Sequence, residues 1–212
     1  MGFDANGHRG KFQGVTTLAD LEPAARTMAK LVEGVPDGPL DGPTPCPAYR
    51  LGDLLDHIRT LALAFTAAAT KETEGIGHLP PSGDATRLGD DWRTQMPRDL
   101  ATLASAWSAP EAWTGMTQVG GADLPGEAAG VIALDELVVH AWDLARSTGQ
   151  GYEVDPASLA VVHGWVADLT APEHSAMRSR IFGPVVDVAD EASLVDRVVG
   201  LTGRDPVWAP VR

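Results

Sequence analysis

Residues 125–149 read PGEAAGVIALDELVVHAWDLARSTG, and this stretch decides the fold class. Ala129, Ile132, Ala133, Leu137 and Leu144 recur at the three- and four-residue intervals of an α-helix. Pro125 suits a first helical position, Asp123 offers a cap just upstream, and Gly149 suits the left-handed residue that ends a helix. The spacing predicts a helix from Pro125 to about Thr148. Glu136, His140 and Asp143 interrupt its apolar set. Polar groups in such a strip need partners, because an unpaired buried carboxylate is expensive.

The pattern continues on both sides. Upstream, residues 110–125 are irregular, with a short strand expected around Met116–Val119. Before them DDWRTQMPRDLATLASAW predicts a helix with Leu100, Leu103, Ala104 and Trp107 inward; Pro97 either kinks it or marks its true start. Residues 75–89 are a Gly/Pro-rich connection. Leu51, Leu54, Leu55, Ile58, Leu61, Ala62 and Phe65 form a broad apolar stripe from Leu51 to about Glu74, with His57 on its flank. A loop dense in Gly, Pro and Asp precedes it. The first helix starts near Asp20 and turns Leu21, Ala25, Met28, Leu31 and Val32 to one side. Downstream, helices are expected from Pro156 to Leu169, capped by Asp155, and from Glu191 to Thr202, ended by Gly203. Between them FGPVVDV reads as a short strand or an extended strap. No internal repeat and no regular βαβ alternation is present, which leaves a mostly α fold: a helical bundle with extra C-terminal helices and one or two short strands.

Composition bounds the function. Sixteen Lys and Arg against 29 Asp and Glu give a net charge of −13, the wrong sign for following a phosphate backbone, so no nucleic acid is expected as partner. A single cysteine, Cys46, excludes an internal disulfide and a multi-cysteine metal knuckle, and fits a reducing cytoplasm. The longest near-apolar run, Leu61–Thr70, is far below the ~20 residues that span a bilayer, so no membrane partner is expected. The glycine-rich opening lacks a signal-peptide pattern; residues 1–14 read as a disordered tail before one domain over 15–212.

Glu136 and His140, four apart on one helix, bring both side chains to one face with Cβ atoms ~5–6 Å apart. One divalent ion, zinc or another, fits between them. His57 from a neighbouring helix could complete the two-His, one-carboxylate set of a catalytic zinc site with one open position. The plainer alternative pairs Glu136 with an arginine. Asp143 either orients a ligand histidine or touches substrate, against a simple helix salt bridge with Arg146. Arg146 near the helix end either caps carbonyls or binds an anionic cofactor group. Cys46 is a packing residue or a thiol near the metal. His8, His78, His163 and His174 fall to structure or solvent.

These residues carry a family resemblance. TPCPAYRLGDLLDHI, residues 44–58, resembles the loop-to-helix motif TPCPGW…D-L-L-x-H-L of the DinB-like superfamily branch that includes mycothiol-dependent maleylpyruvate isomerases. ELVVHAWDLARSTGQ, residues 136–150, resembles that branch's second motif. FGPVVDVADEASLVDRVVGLTGRDP resembles the C-terminal signature of an actinobacterial subfamily described as metal-binding. The resemblance implies a four-helix bundle whose divalent metal is held by His57, Glu136 and His140. Ala48, Tyr49 and Gly52 depart from the motif's usual Gly, Trp and basic residue, leaving the ligands intact. The separate C-terminal α/β domain of those isomerases is not expected here. Maleylpyruvate isomerisation is therefore not implied, whereas use of a small-molecule thiol such as mycothiol with an electrophilic substrate is: a metal-dependent S-transferase. A metal-dependent hydrolase and a non-enzymatic, metal-stabilised binding or regulatory module are the alternatives.

Overall fold

A computed structural model describes residues 18–72, 75 and 82–210; the expected tail and the histidines His8 and His78 lie outside them. Helix α1 spans Glu22–Glu33 and begins where Asp20 accepts the Glu22 N–H at 2.9 Å, with Pro23 in the first turn. Helix α2 spans Leu51–Thr70, α3 Trp92–Trp107 and α4 Gly126–Thr148. Helix α1 packs on α3 and α4, and α2 packs on the same two, so the four close a ring in the order α1–α3–α2–α4. The predicted inward residues of α1, α2 and α3 are all buried, and Leu54, Phe65, Met28 and Leu100 are essentially inaccessible. Each such side chain contributes about 1.5–3 kcal/mol relative to exposure. An exposed surface pair such as Arg26–Glu22 is worth about 0.3–0.5 kcal/mol, so the apolar core holds the bundle.

Several boundaries differ from the sequence expectation, each for a local reason. Helix α2 stops at Thr70 rather than about Glu74, because Lys71 adopts a left-handed conformation at φ 63° and the Glu72 N–H turns back to the Ala67 carbonyl. Lys71 Nζ donates to the Ala112 carbonyl at 2.8 Å, an anchor that offsets the strain of a non-glycine residue there. Helix α3 runs through Pro97, which is not its start. The strand around Met116 is present as β1, Met116–Val119, but it has a partner, β2, Ala122–Pro125. Gly120 and Gly121 join them with φ of 57° and 79°, the double left-handed turn that suits the twist of a hairpin. Asp123 therefore lies in β2, where it accepts from Gln118 at 3.1 Å, and does not cap α4.

Beyond α4, closed by left-handed Gly149, helix α5 spans Pro156–Asp168 with Asp155 accepting the Ser158 N–H. A short helix α6, Ser175–Ile181, was not expected; it buries no residue and so carries no apolar period to read. Helix α7 is Leu194–Leu201, three residues shorter at its start than expected because Ser193 caps it through the Asp196 N–H. The FGPVVDV segment is a strap without a strand partner; the Val186 N–H bonds to the Gly200 carbonyl of α7. Helix α5 packs against both α4 and α7, laying the C-terminal part of the chain along α4. No helix among the described residues is long and apolar enough to cross a membrane.

Candidate metal centre

The site begins with a loop that sequence makes rigid. The Thr44 hydroxyl lies 2.8 and 2.9 Å from the carbonyls of Cys46 and Tyr49, and the Leu51 N–H bonds to Gly42, so the proline-rich turn closes directly onto the start of α2. Gly52 is needed at that start. A Cβ there would stand 2.8 Å from the Ala85 side chain and 3.3 Å from the Leu40 carbonyl, which accounts for the absence of the usual basic residue. Asp53 and buried Asp56 then accept the N–H groups of Ala85 and Asp84, and Arg87 clamps Asp56 at 2.6 Å. These bonds hold residues 84–87 against α2 just where His57 projects.

His57 from α2 meets Glu136 and His140 from α4. The two imidazole Nε2 atoms are 3.2 Å apart, and one Glu136 oxygen lies 3.0 Å from His140 Nε2 and 3.9 Å from His57 Nε2. Both histidines are buried, while Glu136 keeps 28% of its side chain exposed. The plainer sequence alternative for Glu136 is not what forms: its ion pairs among the described residues are with the two histidines. Three donor atoms gathered this closely could hold one metal ion. Bonds of ~2.0–2.1 Å to a tetrahedral ion place ligand atoms about 3.3–3.4 Å apart; the separations of 3.0 and 3.2 Å lie a little inside that spacing and the 3.9 Å one outside it. The donor set of two imidazole nitrogens and one carboxylate also suits a divalent ion with an open position.

Each histidine turns its other nitrogen to a different support. His57 Nδ1 lies 3.4 Å from the Tyr49 hydroxyl, with the rings 4.8 Å apart. His140 Nδ1 lies 2.9 Å from Asp143, a carboxylate with no exposed surface. Asp143 in turn accepts from Arg204 Nε at 3.0 Å and Nη2 at 2.8 Å. Burial opposes ionisation of Asp143, yet the Arg204 charge and the His140 bond prevail and hold its pKa down to about 2. Burial likewise opposes a charged His140, but hydrogen bonds to Asp143 and Glu136 push its pKa up to about 9. Glu136 is held below the usual carboxylate range: burial raises it, and the His140 bond together with the His140, His57 and Arg204 charges outweighs it. Asp135, on the same helix, is pushed up to about 8 by burial and then by the Glu136 charge; its Oδ1 makes no hydrogen bond among the described residues.

The remaining sequence candidates fall as follows. Arg146 does not pair with Asp143; it donates to the carbonyls of Pro206 and Trp208 and lies over the buried Trp142 ring. Cys46 is half-buried, and burial pushes its thiol pKa up, with the nearby Arg204 charge opposing this less strongly. His163 contacts Arg197, and His174 contacts Asp168, both away from the cluster. Sequence reasoning missed Arg204, Asp135 and Asp56. Helical spacing places residues only within one element, and no local signal joins Arg204 to Asp143 across 61 positions.

Fold and site together define a class: a mostly α, DinB-like bundle with a buried two-histidine, one-carboxylate cluster between its second and fourth helices. The chain belongs to the family of the mycothiol maleylpyruvate isomerase N-terminal domain, which it matches over residues 21–145, more than half its length. It is also similar to uncharacterised proteins of Mycobacterium tuberculosis strains CDC 1551 and H37Rv, at 25% identity over 169 residues, 79% of this chain and 83% of each relative. No solved structure matches it significantly. His57, Glu136 and His140 all fall inside the family match; Arg204 lies beyond it.

Proposed function

We propose that the protein is a divalent-metal-dependent S-transferase that joins a small-molecule thiol of the mycothiol type to an electrophile, with zinc or a similar ion held by His57, Glu136 and His140. The observation that carries the reading is the convergence of two Nε2 atoms and one carboxylate oxygen from α2 and α4 in a largely buried site. Membership of a mycothiol-named family supports the thiol as co-substrate. A bound divalent ion supplies Lewis-acid stabilisation of the ionised, nucleophilic form of a thiol at neutral pH.

The chain's own residues do the rest. Asp143 accepts from His140 Nδ1 and so directs its Nε2 toward the cluster. Tyr49, whose phenol burial keeps above its ordinary pKa, presents a hydroxyl to His57. The partly exposed Glu136 marks the side from which small molecules reach the cluster. Burial pushes the Cys46 thiol pKa up, which disfavours it as the nucleophile. In the reaction the thiol loses its proton to solvent, its sulfur pair forms the new C–S bond, and the leaving group departs with the pair of the bond that breaks.

Metal-loaded protein incubated with mycothiol and a halogenated arene tests this. Stoichiometric loss of thiol with release of halide is expected. Arene hydrolysis without thiol consumption would point instead to a hydrolase, and no turnover with any thiol to a binding module; either result would overturn the transferase reading.

A further inference from the structure

Arg204 follows α7, outside the part of the chain that matches the family. It is 8% exposed, and every polar bond it makes has a definite target. Its Nε and Nη2 grip Asp143, its Nη1 donates to the Thr202 carbonyl at 3.1 Å, and its backbone N–H bonds to Val199 at 2.9 Å. The guanidinium is thus fixed on the end of α7, and it fixes Asp143 on α4. The nearer arginine, Arg146, three residues along the same helix, is committed to the carbonyls of Pro206 and Trp208 and leaves Asp143 to Arg204.

We propose that Arg204 is a positioning residue of the metal centre, acting on His140 through Asp143, so that the C-terminal segment completes a site whose ligands all lie in the family domain. This rests on the metal reading above. A carboxylate at His140 Nδ1 stabilises the ring with hydrogen on Nδ1, which leaves the Nε2 lone pair for a cation. The carboxylate performs that role only while it is ionised and aimed, and a two-point guanidinium contact supplies both charge and direction. A neutral or shorter group in place of Arg204 frees Asp143 to rotate, and His140 loses its fixed orientation. Partners of this kind change metal affinity by roughly 10–100-fold.

Cobalt binding by the full-length protein tests the idea, read by chelator competition and by the visible spectrum of the bound ion, with circular dichroism to verify folding. R204L is expected to bind cobalt roughly 10–100-fold more weakly than wild type, with an altered spectrum. R204K should recover part of the loss. R178L removes a different clip of the C-terminal segment, Arg178 to the Leu201 carbonyl, and should bind as wild type does. If R204L does not fold, R204Q decides, because it keeps hydrogen-bond donors and removes the charge. A folded Leu or Gln variant with wild-type affinity and spectrum, changed only in thermal stability, would reduce Arg204 to a structural clip and overturn the inference. Equal weakening in R178L would do the same. A wild-type chain that takes up no cobalt would overturn the metal reading itself.

Discussion

His57 and His140 approach the same point from adjacent helices, yet they are held by unlike means. Behind His140 stands an ionic chain, Asp143 and then Arg204, with no exposed surface on the carboxylate and contacts of 2.8–3.0 Å. On the other side, the Tyr49 phenol, from a loop, lies 3.4 Å from His57 Nδ1, the loose end of hydrogen-bond geometry. The α4 side of the centre is therefore built to be rigid, through a bond network that ties α4 to the end of α7. On the α2 side the Tyr49 ring lies tilted against His57, with centroids 4.8 Å apart. A charge-assisted support costs desolvation and returns orientation; a neutral support costs little and returns less.

Removing a ligand from the rigid side should have the largest effect. His140→Ala is expected to abolish metal stoichiometry in elemental analysis of the purified protein, and full retention would contradict the proposed centre. Asp143→Asn comes next. It should weaken metal binding roughly 10–100-fold and also lower thermal stability, since an unpaired buried guanidinium remains at a cost of about 3–5 kcal/mol. Unchanged melting in that variant would show that the Asp143–Arg204 contact does not persist in solution.

The ionic side also predicts a pH dependence for metal-stripped protein. His140, raised from 6.5 to about 9, keeps in the folded state a proton that the unfolded chain loses above 6.5. Asp135, raised from 3.8 to about 8, does the same from the acid side. Both folded groups hold more protons than unfolded ones, so stability should fall as pH rises from 6.5 to 9. Chemical denaturation at several pH values measures it, and a flat or rising profile would count against the buried ionic network. The smallest effect is expected on the α2 side: Tyr49→Phe retains the ring against His57 and should weaken metal binding by about tenfold or less. A loss as large as that of Asp143→Asn would erase the distinction between the two supports.

Much of this architecture is written in short-range patterns. The apolar faces of α1 to α3, the Asp155 cap and the Gly149 terminus follow from helical periodicity and end chemistry, and the Glu136–His140 pair follows from a four-residue interval; α4 is buried more widely than its predicted set, of which Ile132 is only partly buried. Helix α6 has no buried face and so no apolar period to mark it, and β2 is obscured because Asp123, after the Gly120–Gly121 turn, also suits a helix cap. The direction of Asp143 was open in the sequence, since Arg146 stands within one turn of it.

Sequence alone determines which residues share a helix face, because a turn of 3.6 residues is set by the backbone and needs no partner. Tertiary structure alone decides that His57 meets His140 across 83 positions and that Asp143 takes Arg204 rather than Arg146. Those choices depend on how buried surfaces pack, and packing is a property of all the helices at once.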